Sequence, residues 1–229
     1  MNRQLFPTAL ASGIAAAMMV FAGCSKDGDP LSSEPEAPTP TVTTLARADR
    51  GWSTSSGSNG ITSSVHSRSP VASTKMEAIA NINVGVFEHP VVTAYLENTV
   101  AGTPGSYRVE TTYNWKGSIA GNGLAGAGAR VELTMQILHP NGTLIASQDI
   151  HEKEVRESAF QIGGIIDEGS KRMVMDFTLP NGATSFRIRF VMRCEAWSGL
   201  FGGITQCHFG DYAATGHHSG WSTLKVTKL

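Results

Sequence analysis

Four side chains near the C-terminus could bind a metal ion. They are His208, Asp211, His217 and His218. Imidazole and carboxylate groups are common ligands of zinc and copper, so this segment is the best candidate for a metal site. In a strand, His217 and His218 would point to opposite faces, and only one of them could join His208 and Asp211. The simpler interpretation, which we favour, is a polar turn between the last two strands, and no cofactor is predicted.

Acidic and nucleophilic residues elsewhere form no recognisable catalytic motif. Glu152, Glu154, Asp167 and Glu168 could supply the two carboxylates of a glycoside hydrolase, but scattered acids are more common on a solvated surface. No G-x-S-x-G sequence indicates a serine nucleophile. A metal-dependent or glycan-cleaving enzyme is therefore the alternative hypothesis.

The first 23 residues have the layout of an export signal. Arg3 provides a positive charge, and residues 5–22 are apolar and almost uncharged. This run has about the minimum length of a bilayer span, and acidic residues follow Lys26, which argues against an uncleaved anchor. The signal therefore directs the protein out of the cytoplasm.

The apolar run ends in Phe21-Ala22-Gly23-Cys24. This ending resembles the lipobox of bacterial lipoproteins, with two small residues before the cysteine. The resemblance implies that residues 1–23 are removed and that Cys24 carries a diacylglyceryl group and an N-acyl chain such as palmitate. Such an anchor exceeds the two lipid signals needed for stable attachment. Ser25 implies sorting to the outer membrane, and the alternative is a non-lipidated secretory signal.

Cys194 and Cys207 are the cysteines left when Cys24 carries the lipid. An even pair in an oxidising compartment predicts a disulfide. Closing this short loop would stabilise the fold by about 3 kcal/mol. The twelve-residue spacing differs from the C-x2-C of zinc and redox motifs, although a metal pair or a reactive thiol is the alternative.

Three large apolar residues lie between those two cysteines on a glycine-rich backbone. They are Trp197, Leu200 and Phe201. Aromatic side chains held in a closed loop could recognise a sugar face or another protein with little entropy loss. The competing interpretation is that Trp197 covers the edge of the core.

Charge is sparse and balanced along the chain. There are 18 basic and 19 acidic residues, and only 16% of residues are charged. No basic patch suited to a nucleic acid exists, so a nucleic-acid partner is not predicted. Arg187, Arg189 and Arg193 alternate along one predicted strand and could meet an anionic polymer or lipid headgroup. We favour neutralisation by acids on a neighbouring strand, such as Asp176.

Residues 24–50 are rich in Pro, Thr, Ser and acidic residues and have hardly any apolar side chains. Such a composition predicts a disordered or extended tether. Residues 51–229 have the size and apolar content of a single domain. The Ser/Gly/Thr stretch at 51–64 could extend the tether.

The predicted domain reads as strands almost throughout. Val131, Leu133, Met135 and Ile137 alternate with polar residues, and similar alternation recurs at 107–115, 173–179 and 186–192. Only residues 151–158 could form a short helix. The many short strands predict an all-β fold, an antiparallel β-sandwich of immunoglobulin-like or jelly-roll type.

Two tripeptides, Pro140-Asn141-Gly142 and Pro180-Asn181-Gly182, each predict the tip of a hairpin.

A rigid β-scaffold, a spacer and a recognition loop together suit a binding module. We therefore predict a lipid-anchored protein of the cell envelope that acts as a non-catalytic binding, adhesion or structural module. Its sorting residue, Ser25, predicts the outer membrane. Its expected partners are the membrane, through the lipid, and a glycan or an envelope protein.

Overall fold

The computed structural model describes residues 40–56, 63–70, 73–123, 126–156, 165–200, 203–210 and 218–229. Within them, twelve strands form two antiparallel sheets. The all-β, antiparallel β-sandwich predicted from the sequence is confirmed. The signal peptide, Cys24 and most of the predicted tether lie outside the described residues. Thr39–Leu229 form one compact unit.

The strands follow one another along the chain without a described helix between them. They are β1 (Val42–Leu45), β2 (Arg50–Ser56), β3 (Ser63–Arg68), β4 (Lys75–Ile82), β5 (Val91–Ala101), β6 (Gly105–Gly123), β7 (Gly128–Leu138), β8 (Leu144–Arg156), β9 (Ile165–Leu179), β10 (Ser185–Trp197), β11 (Gly203–Phe209) and β12 (His218–Lys228). No helix among the described residues is long and apolar enough to cross a bilayer.

The two sheets contain seven and five strands. The larger sheet has the order β1-β12-β4-β11-β6-β9, with β3 paired to β4 and a further pairing between β12 and β6. The smaller sheet has the order β2-β5-β10-β7-β8. β10 is central in the smaller sheet, and one face of it is directed towards the larger sheet.

The core lies between the sheets and follows the predicted alternation. Phe186, Ile188, Phe190 and Met192 on β10 are all fully buried. The ring of Phe190 stacks on Trp221 of β12 with 4.5 Å between ring centres. Close-packed aromatic contacts of this kind join the two sheets, because each ring buries a large apolar area.

The first predicted hairpin is confirmed and the second is wrong. Residues 139–143 join β7 to β8, which pair with each other, and Gly142 adopts a φ of 94° at the turn. Residues 180–184 also form a turn, with Gly182 at φ 84°, but β9 pairs with β6 whereas β10 pairs with β5 and β7. This turn therefore crosses from one sheet to the other, since turn geometry alone does not decide which strands pair.

Two further expectations need correction. The ordered domain begins before residue 51, because β1 pairs with β12 and Ala48 is only 3% exposed. The predicted tether therefore does not extend through 42–50, where strand pairing supplies the backbone partners. Residues 151–156 belong to β8 and not to a helix, because β7 offers them a paired edge.

The sandwich has two distinct ends, which β6 connects. Nineteen residues of β6 at about 3.3 Å each span roughly 60 Å. We call the end at Gly105 the cleft end; residues 102–104 and 180–184 turn there, and β1 begins there opposite Thr227. We call the end at Gly123 the loop end; β4, β6, β8 and β10 end there, and residues 83–90 connect β4 to β5 there.

Candidate functional site

Two connections at the loop end are fixed to each other by hydrogen bonds. Residues 83–90 join β4 to β5, and residues 198–200 follow β10. The Glu88 amide donates to the Ser198 hydroxyl at 2.9 Å, and the Ser198 amide donates to the Glu88 carbonyl at 3.0 Å. The Ala196 amide donates to the Pro90 carbonyl at 3.1 Å. The two connections therefore form one braced unit at the end of the sandwich.

This unit exposes large apolar side chains to solvent. Val84 and Phe87 are each 71% exposed, Val86 is 54% exposed and Leu200 is 57% exposed. We call these four residues the apolar tip. Residues 83–87 and 198–200 contain no charged side chain. The Glu88 side chain follows and packs against Gly85. A cluster of exposed apolar residues is typical of an interaction site.

Phe87 adopts an unusual backbone conformation within the tip. Its φ is 54°, the only positive value of a residue other than glycine among those described. A bulky side chain in this left-handed region is disfavoured by about 1–2 kcal/mol. Such strain persists where the surroundings hold it, and it is common at binding sites. Here the strain turns a large aromatic ring out into solvent.

Trp197 lies behind the apolar tip and is partly buried. Its ring packs on the backbone of Gly128, where a Cβ atom would lie 2.5 Å from Cζ2 of the ring. The His89 ring approaches it edge-on at 6.2 Å between centres. Trp197 therefore packs against the domain behind the apolar tip, whereas Leu200 is exposed. Phe201, the third predicted recognition residue, lies outside the described residues.

A chain of charged side chains begins just behind Trp197. Glu195 is mostly buried and contacts Nη2 of Arg193, and His89 Nε2 lies 3.4 Å from the second carboxylate oxygen of Glu195. Arg193 also reaches Glu132 at 3.4 Å. The side chains therefore change in character from charged at Arg193 and Glu195, to aromatic at Trp197, to apolar at Leu200.

The arginines on β10 are neutralised across strands, as we expected, but by acids other than Asp176. Arg187 and Arg189 both bind Glu97 of β5, with N–O distances of 3.0 and 2.8 Å. Asp176 lies in the other sheet and forms two 2.7 Å hydrogen bonds with Arg108, which lower the pKa of its carboxyl group. Arg187 and Arg189 therefore both have a carboxylate partner on the neighbouring strand.

The predicted metal ligands are only partly within the described structure. His208 lies on β11, where Gln206 Nε2 donates to its Nδ1 at 2.9 Å. Asp211 and His217 lie outside the described residues, and His218 is placed only as the first residue of β12. Among the described residues, no group of three or more His, Cys, Asp or Glu side chains is arranged to hold a metal ion.

Cys194 and Cys207 are neighbours, although both are free thiols in this structure. Cys194 belongs to β10 and Cys207 to β11, so the pair spans the two sheets. Burial raises the pKa of Cys207, and a hydrogen bond with Cys194 raises it further. The predicted disulfide stays a prediction, now between two strands that the fold brings together.

The four acids considered for glycoside hydrolysis each contact a basic side chain. Glu152 binds Arg130, and Glu154 contacts Arg156. Asp167 Oδ2 lies 2.6 Å from His151 Nε2. Lys116 binds Glu168 at 2.9 Å. Each carboxylate thus has its own basic partner in the described structure.

Sequence reasoning missed the part of the tip between β4 and β5. Val84, Val86 and Phe87 follow an alternating apolar strand, so their pattern looks like its continuation. The sequence did offer one signal, Gly85 within an uncharged stretch at residues 83–87. A glycine there indicates a loop only if the preceding strand is known to have ended.

No protein-family model matches the chain, and no characterised protein matches it in sequence. Three solved structures resemble it in part. The enzymatically active domain of bacteriophage CBA120 tailspike protein 4 is 12% identical with a TM-score of 0.30, over 76% of this chain and 19% of that one. TmCBM61, solved in complex with β-1,4-galactotriose, is 11% identical with a TM-score of 0.27, over 77% and 88%. A family 35 carbohydrate-binding module from Clostridium thermocellum is 15% identical with a TM-score of 0.23, over 82% and 97%. The chain thus spans about a fifth of the tailspike domain that it resembles.

Proposed function

We propose that this protein is a lipid-anchored, non-catalytic binding module of the cell envelope, and that the apolar tip contacts its partner. The observation that supports this most strongly is the tip itself. It presents four large apolar side chains on two connections that are braced to each other. Because the unit is already ordered by hydrogen bonds, little conformational entropy is lost on binding.

The chemistry of the tip favours a protein partner. Three of its residues, Val84, Val86 and Leu200, are aliphatic, and only Phe87 offers an aromatic face. The buried core of a protein interface is more apolar than its rim, so exposed aliphatic side chains suit it. A sugar needs convergent hydrogen-bonding groups as well as an apolar surface, and the tip supplies few of them. An envelope protein is therefore the proposed partner, with a glycan as the alternative outcome of the test.

The position of the tip suits a tethered protein. The described chain begins near the cleft end, where β1 starts, whereas the tip lies at the opposite end of β6. A tether that joins at the cleft end leaves the loop end free to reach a partner. This geometry supports an anchored binder in which attachment and recognition use separate ends of the domain.

Site-specific photo-crosslinking in cells tests the tip. A photoreactive phenylalanine analogue replaces Phe87 in one variant and Val174 in the other; Val174 is a 41% exposed residue of β9 and serves as the matched control. We expect a discrete adduct from position 87 and none from position 174. Protease sensitivity of the attached partner identifies a protein, and glycosidase sensitivity identifies a glycan. The absence of an adduct at position 87 would reject the proposed binding site.

The lipid anchor has its own test. We expect wild-type protein to incorporate labelled palmitate and to fractionate with the outer membrane. Cys24→Ser removes the acceptor thiol, so it should abolish the label. Equal label in both proteins would reject lipidation at Cys24, and recovery only with the inner membrane would reject the proposed sorting.

A further inference from the structure

A cleft opens between the two sheets at the cleft end, far from the apolar tip. It has a volume of about 640 Å³, within the range of roughly 300–1,000 Å³ that is usual for small-molecule sites. β1 and the end of β12 form one side of it, and the turns before β6 and β10 form the other. The residues that matter most are Thr43, Val100, Tyr107, Ala183, Val226 and Lys228.

The floor of the cleft is apolar. Val100, Tyr107 and Val226 reach it from the core and are each at most 5% exposed. The Tyr107 hydroxyl donates to the Thr103 carbonyl at 2.8 Å and accepts from the Thr103 amide at 2.9 Å, so its polar end is already engaged. An aliphatic chain would lose no hydrogen bonds here, whereas a sugar would bury hydroxyls against hydrocarbon.

Of the described residues that line the cleft, Lys228 alone is charged. Its stem passes over Gly105, where a Cβ atom would lie 3.2 Å from Cε, and its ammonium lies 2.6 Å from Thr103 Oγ1. Lys116 and Lys225 each bind a carboxylate, at 2.9 and 3.8 Å. Among the ion pairs of the described residues none includes Lys228, whose ammonium donates to the Thr103 hydroxyl.

We propose that this cleft binds a small amphipathic carboxylate. The aliphatic chain lies against Val100, Ala183 and Val226, and the carboxylate accepts hydrogen bonds from the Lys228 ammonium. A charge-assisted contact at the rim fixes the orientation of a ligand that the apolar floor holds by hydrophobic burial. This site does not depend on the proposed partner of the apolar tip.

Isothermal titration with octanoate and octan-1-ol tests the site, because the two probes share a chain length and differ in charge. The protein is the full chain carrying Cys24→Ser. Lys228→Met keeps the apolar stem and removes the ammonium, and Thr43→Trp fills the cleft from an exposed position on β1. Lys225→Met and Thr44→Trp are the matched controls, since both positions lie on the opposite face of their strands.

We expect octanoate to bind more tightly than octan-1-ol. Lys228→Met should weaken octanoate binding by about tenfold or more and leave octan-1-ol binding unchanged, as expected for loss of one charged hydrogen bond. Thr43→Trp should weaken binding of both probes, and neither control should change it. Absence of octanoate binding, equal binding of the two probes, or octanoate binding that survives Thr43→Trp would overturn the proposal.

Discussion

Glu97 and Arg189 form an ion pair on the outward face of the smaller sheet, with Nε 2.9 Å and Nη2 2.8 Å from the same carboxylate oxygen. The Glu97 side chain is only 1% exposed. Arg187 binds its other oxygen at 3.0 Å, and the Arg189 guanidinium lies 4.8 Å from the centre of the Trp52 ring. A carboxylate that has lost its water is thus held by two cations, and β2, β5 and β10 are joined by side chains as well as by backbone.

Glu97→Gln should be strongly destabilising. It removes the charge that both arginines share in a poorly hydrated place, and breaking such a pair costs about 3 kcal/mol. Urea denaturation of the full chain carrying Cys24→Ser measures the change in free energy of unfolding. Asp176→Asn is the control, because its pair with Arg108 is well exposed and should matter much less. Equal effects of the two substitutions would contradict the prediction.

Exported protein should contain a Cys194–Cys207 disulfide. Formation removes two electrons and two protons from the thiols, which a disulfide oxidant of the export compartment would accept. Intact mass after denaturing alkylation without reductant should show no modified thiol at these positions, and reduction should expose both. Because burial raises the pKa of Cys207, folded protein in the reduced form should react slowly with alkylating agents. Two alkylated thiols in the exported, unreduced protein would exclude the bridge.

Stability should fall in alkaline solution because of Tyr113. Burial raises the pKa of its phenol, and Ser219 offsets this only in part. The unfolded phenol ionises near its usual pKa of about 10. Below that pH both states hold the proton, so the phenol contributes no pH dependence; above it only the unfolded state loses the proton, and stability decreases with pH. Tyr113→Phe should make this decrease smaller in urea midpoints measured from about pH 8 to 11. An unchanged pH dependence would contradict the assignment.

Phe87→Gly should separate stability from binding. Glycine adopts a φ of 54° without steric cost, so relief of strain should raise the free energy of unfolding by up to about 1 kcal/mol. The same substitution removes the aromatic side chain of the tip and should weaken partner binding. Phe87→Leu retains both strain and apolar character and is the control. A Phe87→Gly protein that binds normally would show that the ring is not needed.

The strand faces were readable from the sequence because burial with a period of two is a local property. Leu133, Met135, Phe190 and Met192 are buried as their alternation predicts. Pairing is not local. The turn at 180–184 has the residues of a hairpin, yet its strands enter different sheets, since their partners are supplied by segments far away in the chain.

The candidate site was only partly readable for a similar reason. Leu200 was identified because it lies between two cysteines, and the structure exposes it. Val84 and Phe87 were not, because nothing in the sequence shows that β4 ends at Ile82 or that Glu88 meets Ser198. The burial of Glu97 could not be predicted from the sequence either, because it depends on two arginines that reach it from β10.

The short pairing of β1 with β12 determines how the domain would carry a mechanical load. A pull between residue 40 and Leu200 acts along the strands, so all four residue pairs from Val42 to Leu45 resist together in shear. A pull between residue 40 and Leu229 acts on two neighbouring ends, because Val42 lies opposite Thr227, and it would open the pairs one at a time. Single-molecule stretching should therefore record a higher unfolding force for the first attachment than for the second, and equal forces would contradict this. A protein anchored before residue 40 and bound to its partner at the loop end would be pulled in the first geometry, in which β1 resists in shear.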